Sequence, residues 1–202
     1  GEIYITSPTG GWSGNYNYTI SPDGGATVTT QATGTFIALV DGDYDVSVVD
    51  DNGCQSTNTI TLVDPPDLSF GVVVTSNYNG EQVSCFGACD ATVSILPLGG
   101  TPGYTYFSDG LSNGSDNEIT GLCAGNVDFQ VVDLNSCAVS VNIPITQPVE
   151  LEVASANISS DYFGYPISCS GASDGEITIA GVGGVQAYNF SVSGAPPYFS
   201  TS

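Results

Sequence analysis

Ser84-Cys85-Phe86-Gly87-Ala88-Cys89-Asp90 opens the stretch whose reading decides the fold. The stretch runs on through Gly99-Gly100-Thr101-Pro102-Gly103-Tyr104-Thr105-Tyr106 and Gly121-Leu122-Cys123-Ala124-Gly125. It closes with Val132-Asp133-Leu134-Asn135-Ser136-Cys137 and stops at Gln147-Pro148. Its parts recur on both sides. Gly87 to Ile95 matches Gly171 to Ile179, and the second half of that run matches Gly1-Glu2-Ile3-Tyr4-Ile5. Gly-Gly followed by an alternating aromatic pair occurs at Gly10-Gly11 with Tyr16 and Tyr18, and at Gly99-Gly100 with Tyr104 and Tyr106. It occurs again at Gly183-Gly184 with Tyr188 and Phe190. Val49-Asp50-Asp51-Asn52-Gly53-Cys54 matches Val132 to Cys137. The offsets agree on a period of roughly 85 residues, the size of a small seven-stranded sandwich.

The segments between these landmarks alternate as strands do. Glu2–Thr6, Tyr16–Ile20, Tyr44–Val49 and Cys54–Val63 read as strands, with weaker ones at Thr27–Thr30 and Thr35–Leu39. Asp51-Asn52-Gly53 is a hairpin signal. In the middle copy, strands are expected at Leu68–Thr75, Ala91–Leu96, Tyr104–Ser108, Glu118–Thr120, Val127–Asp133 and Ala138–Ile145. In the last they are expected near Glu150–Val153, Glu176–Ala180 and Tyr188–Val192. No segment has helical periodicity of useful length. The sequence therefore predicts an all-β chain of tandem Ig-like antiparallel β-sandwich repeats. Residues 1–64 form a repeat lacking its N-terminal part, 65–147 a complete repeat, and 148–202 a repeat lacking its C-terminal part. On this expectation the chain is a piece of a longer array. A single large β-barrel or β-helix is the alternative, and the Pro-marked boundaries argue against it.

Composition narrows the function. The chain has 202 residues, 26 Gly and 19 Tyr plus Phe, with 41% hydrophobic residues, enough for real cores. It carries 21 acids and no Lys, Arg or His, a net charge of −21. No salt bridge between side chains can form. Each carboxylate must be solvated, hydrogen-bonded to N–H or hydroxyl groups, or bound to a metal ion. Nucleic-acid binding is excluded because nothing neutralises phosphate. An anionic membrane surface repels such a chain, and no apolar run is long enough to insert. Self-repulsion weakens at high ionic strength, where the Debye length falls to about 3 Å at 1 M.

Six Cys without paired C-x-x-C spacings point to disulfides over zinc, and so to an oxidising exterior. Cys54 is equivalent to Cys137, and Cys85 to Cys169, whereas Cys89 and Cys123 occur only in the middle copy. The simplest connectivity is Cys85–Cys137 and Cys89–Cys123, leaving Cys54 and Cys169 unpaired in this fragment. Bridges between neighbouring repeats, Cys54–Cys85 and Cys137–Cys169, are the alternative.

The ordered motifs Cys-x-Gly, Gly-Gly-x-x-x-Tyr-x-(Tyr/Phe), Gly-Leu-(Cys)-Ala-Gly, Val-x-Asp-x-Asn-(Gly)-Cys and Gln-Pro resemble the SprB repeat. Cys85–Pro148 carries the full order, and 1–64 and 169–188 carry halves of it. Ser136, Gly103 and Asn126-Val127 depart from the usual residues. The resemblance implies a long surface adhesin of the Bacteroidota, secreted by the type IX system, with a role in adhesion and often in gliding motility.

Catalysis is hard to build. Without His or Lys, a Ser or Cys nucleophile lacks its ordinary base. Carboxylate pairs such as Asp116 with Glu118 fall on turns or exposed edges. The chain is read as no enzyme and as needing no cofactor, save for calcium. Asp41, Asp43 and Asp45 place three hard oxygen donors at alternate positions. The aromatic pairs, two residues apart, face one side of a strand, most simply the core. Trp12 is the aromatic expected to be exposed.

The resulting expectation is a disulfide-stapled stalk at the cell surface, serving attachment, gliding or contact with other cells or prey. Its partners are neighbouring repeats, with surface glycans or self-association into filaments as further candidates. The rival readings are a structural subunit of an extracellular filament or S-layer-like assembly, and a carbohydrate-binding β-sandwich module.

Overall fold

The computed structural model describes residues 1–6, 8–11, 14–22 and 28–191. Among these it contains strands and turns and no helix, and every strand pairing is antiparallel. The chain divides into two compact units, Gly1–Pro66 and Asp67–Ser202, parting within the Asp64-Pro65-Pro66-Asp67 segment.

The second unit begins with a seven-stranded sandwich. One sheet has β7 (Ser69–Val74), β8 (Ala91–Leu98) and β11 (Glu118–Leu122) in the order β11-β8-β7. The other has β9 (Thr105–Ser108), β10 (Leu111–Gly114), β12 (Gly125–Val132) and β13 (Ala138–Ile145) in the order β10-β9-β12-β13. Period-two patterning explains the pairing of the sheets. Val93 and Ile95 point inward from β8, and Val127, Phe129 and Val131 from β12, all fully or nearly fully buried. Tyr106, Ile119, Leu122 and Ile145 close this core, and Leu68, Phe70, Val72 and Val74 pack against it from β7 and its approach.

The first unit repeats much of this plan. β2 (Asn17–Pro22), β3 (Thr29–Gln31), β5 (Gly42–Val49) and β6 (Gln55–Leu62) form a four-stranded sheet, β3-β2-β5-β6. β1 (Glu2–Tyr4) and β4 (Thr35–Ile37) form a two-stranded one. Ile3, Tyr18, Ile20, Phe36, Tyr44 and Val46 are its buried core. The hairpin expected at Asp51-Asn52-Gly53 joins β5 to β6 with Val49 opposite Gln55. The corresponding hairpin joins β12 to β13 with Val132 opposite Ala138.

After the sandwich, β14 (Glu152–Ile158) pairs with β15 (Ile177–Val182). Leu151, Val153, Ile158 and Ile177 of this hairpin stay exposed. The strand expected at Tyr188–Val192 is absent over its described part, Tyr188–Ser191. Its counterpart β9 is held by pairing to β12, and no strand among the described residues does this for 188–191. The sequence also missed β10, a four-residue strand of Leu111-Ser112-Asn113-Gly114 with no alternation to announce it. Part of the weak strand at Thr27–Thr30, and Trp12, lie outside the described residues.

Candidate functional site

Two clusters recur, one at each end of the sandwich plan. The first sits at the β12–β13 hairpin. Asp133 is buried, yet it has no cation to pair with in this chain. It takes backbone N–H groups instead. Oδ1 accepts from Asn135 at 2.9 Å and from Cys137 at 2.8 Å, and Oδ2 accepts from Thr101 at 2.8 Å. These bonds hold its carboxyl below the usual range, the Thr101 N–H foremost, against the opposing effect of desolvation. Gly100 must be glycine here. Its φ is +62°, and a Cβ would lie 2.9 Å from Asp133 Oδ2 and 3.0 Å from Leu68 Cδ1. Tyr104 completes the cluster by donating its hydroxyl to the Gly99 carbonyl at 2.7 Å.

The first unit builds the same corner from Gly11, Tyr16 and Asp50. Asp50 Oδ1 accepts from Asn52 at 3.0 Å and from Cys54 at 2.8 Å, and Tyr16 donates to the Gly10 carbonyl at 3.1 Å. A Cβ on Gly11 would meet Asp50 Oδ2 at 3.0 Å. In the last copy Tyr188 donates to the Gly183 carbonyl. The Gly-Gly and Tyr motif is therefore a latch between a turn and the following segment. The second tyrosine of each pair in the first two copies, Tyr18 and Tyr106, enters the core.

The second cluster lies at the opposite end. Asp90 Oδ1 accepts the Ser84 N–H at 3.0 Å, Tyr78 donates to the Asp90 carbonyl at 3.4 Å, and Ala88 N–H bonds the Cys85 carbonyl at 3.0 Å. Asp174 Oδ1, Ser168, Tyr162, Ala172 and Cys169 repeat these bonds at 3.1, 3.3 and 3.0 Å. The Ser84 and Ser168 bonds lower the carboxyls of Asp90 and Asp174. Partial desolvation and the Asp90 carboxylate raise the Tyr78 hydroxyl. Residues 165–197 match the SprB repeat. The matched segment carries Ser168, Cys169 and Asp174 of this loop and the Gly183-Tyr188 latch. SprB repeats are associated with cell-surface, adhesin-like repeat proteins. No curated protein matches the chain.

Cys89 and Cys123 form a disulfide next to the Ala91–Leu122 pair of β8 and β11. Cys85 and Cys137 are not joined, and both are exposed thiols, as are Cys54 and Cys169. The expected Cys85–Cys137 bridge is corrected by topology. Cys137 sits at the hairpin end, beside Val132 and Ala138. Cys85 sits at the other end, where the Gly87 N–H meets Gln147 Oε1 and Gly125 pairs with Ile145. The eight residues of β12 separate the two ends by about 23 Å, and cysteines more than about 7 Å apart cannot be bridged. The repeat arithmetic matched equivalent cysteines but carried no information on which end each occupies.

Asp43 and Asp45 lie on one exposed face of β5, just after Asp41. Asp43 accepts from the Thr61 hydroxyl, and Asp45 from Thr59 at 2.8 Å. Among the described residues no three His, Cys, Asp or Glu side chains converge to hold a metal ion. Asp116 accepts the Glu118 N–H at 3.1 Å, a local turn bond.

Proposed function

We propose that this chain is a repeat segment of a long secreted bacterial cell-surface protein, an adhesin stalk that serves attachment, gliding or cell contact. The observation that carries the reading is the SprB match over 165–197, whose loop and latch bonds recur in the middle sandwich. The role is mechanical and non-enzymatic. The chain has no His, Lys or Arg, and the carboxylates of Asp50, Asp90, Asp133 and Asp174 are engaged by backbone N–H groups. Carboxylates bonded in this way cement turns and do not act on a substrate. The Cys89–Cys123 bond supports an oxidising exterior. The placement of Tyr18 and Tyr106 in the cores favours the stalk over a sugar-stacking platform. Antibodies against residues 67–147 test the proposal on cells that make the parent protein. Labelling of intact cells together with blocked surface attachment is the expected result. An epitope reached only after lysis would overturn it.

A further inference from the structure

Three cysteines share one end of the middle sandwich. Cys89 and Cys123 are bonded there, and both residues are exposed. Cys85 is an exposed thiol four residues before Cys89 on the same loop. The loop folds back between the two. The Ala88 N–H bonds the Cys85 carbonyl at 3.0 Å, and Gly87 supplies a left-handed φ of +75°. Such a turn keeps its first and fourth Cα atoms within about 7 Å of each other. The residue that follows the turn is Cys89, so a free thiol and an exposed disulfide sit on adjoining parts of one tight loop.

The last copy shows what this disulfide adds. Its loop has Cys169 at the position of Cys85 but Ser173 at that of Cys89, so it has no such bond. The turn is the same nonetheless. The Ala172 N–H bonds the Cys169 carbonyl at 3.0 Å, Gly171 has φ +85°, and Asp174 accepts the Ser168 N–H at 3.1 Å as Asp90 accepts that of Ser84. Backbone and carboxylate bonds therefore shape the loop without help from the disulfide. What the disulfide contributes is a tie from the loop to the end of β11, across a sequence separation of 34 residues. The tie can move without the loop losing the bonds that shape it.

We propose that Cys85 is an internal exchange thiol, which moves the disulfide from Cys89–Cys123 to Cys85–Cys89 once the sandwich has been pulled open. The Cys85 thiolate attacks Cys89 Sγ. The Cys85–Cys89 bond forms, the Cys89–Cys123 bond breaks, and Cys123 leaves as a thiolate that takes up a proton from water in place of the one Cys85 gave up. One disulfide and one thiol are present before and after, so the step needs no oxidant or reductant. In the folded sandwich the Ala91–Leu122 pair of β8 and β11 keeps Cys123 beside Cys89 and favours the long ring. In the opened chain that support is gone, and tension draws Cys89 and Cys123 apart. The short ring then costs less closure entropy than the long one. The stalk yields in two stages, first the sandwich and then the residues held behind the bond. The proposal rests on the mechanical reading of the chain. Its test is made on purified chain, and so is independent of where cells display the protein.

Single oxidised chains held at constant force without reductant read the exchange directly. After the sandwich has opened, a delayed second extension of roughly 100 Å is expected, the separation of 34 residues less the four enclosed by the new ring. Its rate should rise several-fold between about pH 7 and about pH 8, because the thiolate is the attacking species. C85S should keep the first step and abolish the second. The C54S/C137S/C169S chain, which retains only the three cysteines of this end, should keep both. In bulk, that triple variant is unfolded in denaturant, its thiols are blocked, and it is cut after its acidic residues. Peptide 82–90 should then carry a closed ring, and peptide 119–128 a blocked Cys123. The folded chain should give the same two peptides joined, with Cys85 blocked. A parent chain with no second extension overturns the proposal. So does a second extension that survives in C85S, or a Cys85 that remains the blocked thiol after unfolding.

Discussion

The Asp133 carboxylate accepts the backbone N–H of Cys137 at 2.8 Å, and in the first unit Asp50 does the same for Cys54, also at 2.8 Å. The recurring Asp and Cys of the sequence are thus linked through backbone. The carboxylate does the work, and the thiol is left exposed.

The backbone N–H bonds to Asp133, that of Thr101 foremost, set the acid limit of stability. The folded pKa of Asp133 is lowered, and those of Asp90 and Asp174 as well. Stability from a lowered carboxyl is fully present above the unfolded value of about 4. It is lost as the pH falls through the folded value. Melting temperature should therefore fall steeply below about pH 4, and D133N should flatten that slope. On the alkaline side burial, aided by neighbouring Tyr104, raises the Tyr106 hydroxyl. Its contribution is present below the unfolded value of about 10 and is lost as the pH rises through the folded value. Thermal melts across pH check both limbs. An acid limb identical in D133N would refute the role of Asp133.

Ser136 stands at φ +69° where the equivalent Gly53 has φ +82°. A side chain in this left-handed region costs roughly 1–2 kcal/mol. S136G should therefore stabilise the middle sandwich by about 1 kcal/mol, less the greater freedom that glycine has when unfolded. Denaturant unfolding measures this, and a destabilised S136G would contradict the turn geometry.

The Cys89–Cys123 bond closes a sequence separation of 34 residues. By chain entropy it contributes about 4 kcal/mol, or about 15–30 °C in melting temperature for a domain this small. C123S should lose that amount. C137S removes only an exposed thiol and should change stability by less than about 0.5 kcal/mol. Equal losses in the two variants would restore a structural bridge to Cys137.

Much of the fold was legible because short-range patterns encode it. Alternation located β5, β8, β12 and β13, and Asp-Asn-Gly located the β5–β6 hairpin. The direction of the aromatic pairs was legible for the same reason. The cysteine pairing was only half legible. Cys89 and Cys123 occur in one copy and had only each other, whereas the shared cysteines needed the three-dimensional ends of the sandwich to be sorted. The buried role of Asp133 was also hidden. Its partners are backbone N–H groups, one of them 32 residues away at Thr101, and no side-chain motif records them.

Asp43 and Asp45, candidate calcium ligands with Asp41, lie on one exposed face of β5. Asp43 and Asp45 engage Thr61 and Thr59 across the β5–β6 ladder. Added calcium or EDTA at constant ionic strength should leave the melting curve of the Gly1–Pro66 unit unmoved. A rise of several degrees with calcium would establish the site.

The central claim is that the middle sandwich is a load-resisting unit locked by its disulfide, and stretching single molecules of this chain from their two ends tests it most directly. In the oxidised chain the residues between Cys89 and Cys123 stay hidden from the force. The account predicts a cooperative unfolding step for this sandwich that lengthens by roughly 110–120 Å when the bond is reduced. A step of unchanged length after reduction, or smooth extension with no cooperative step, would contradict it.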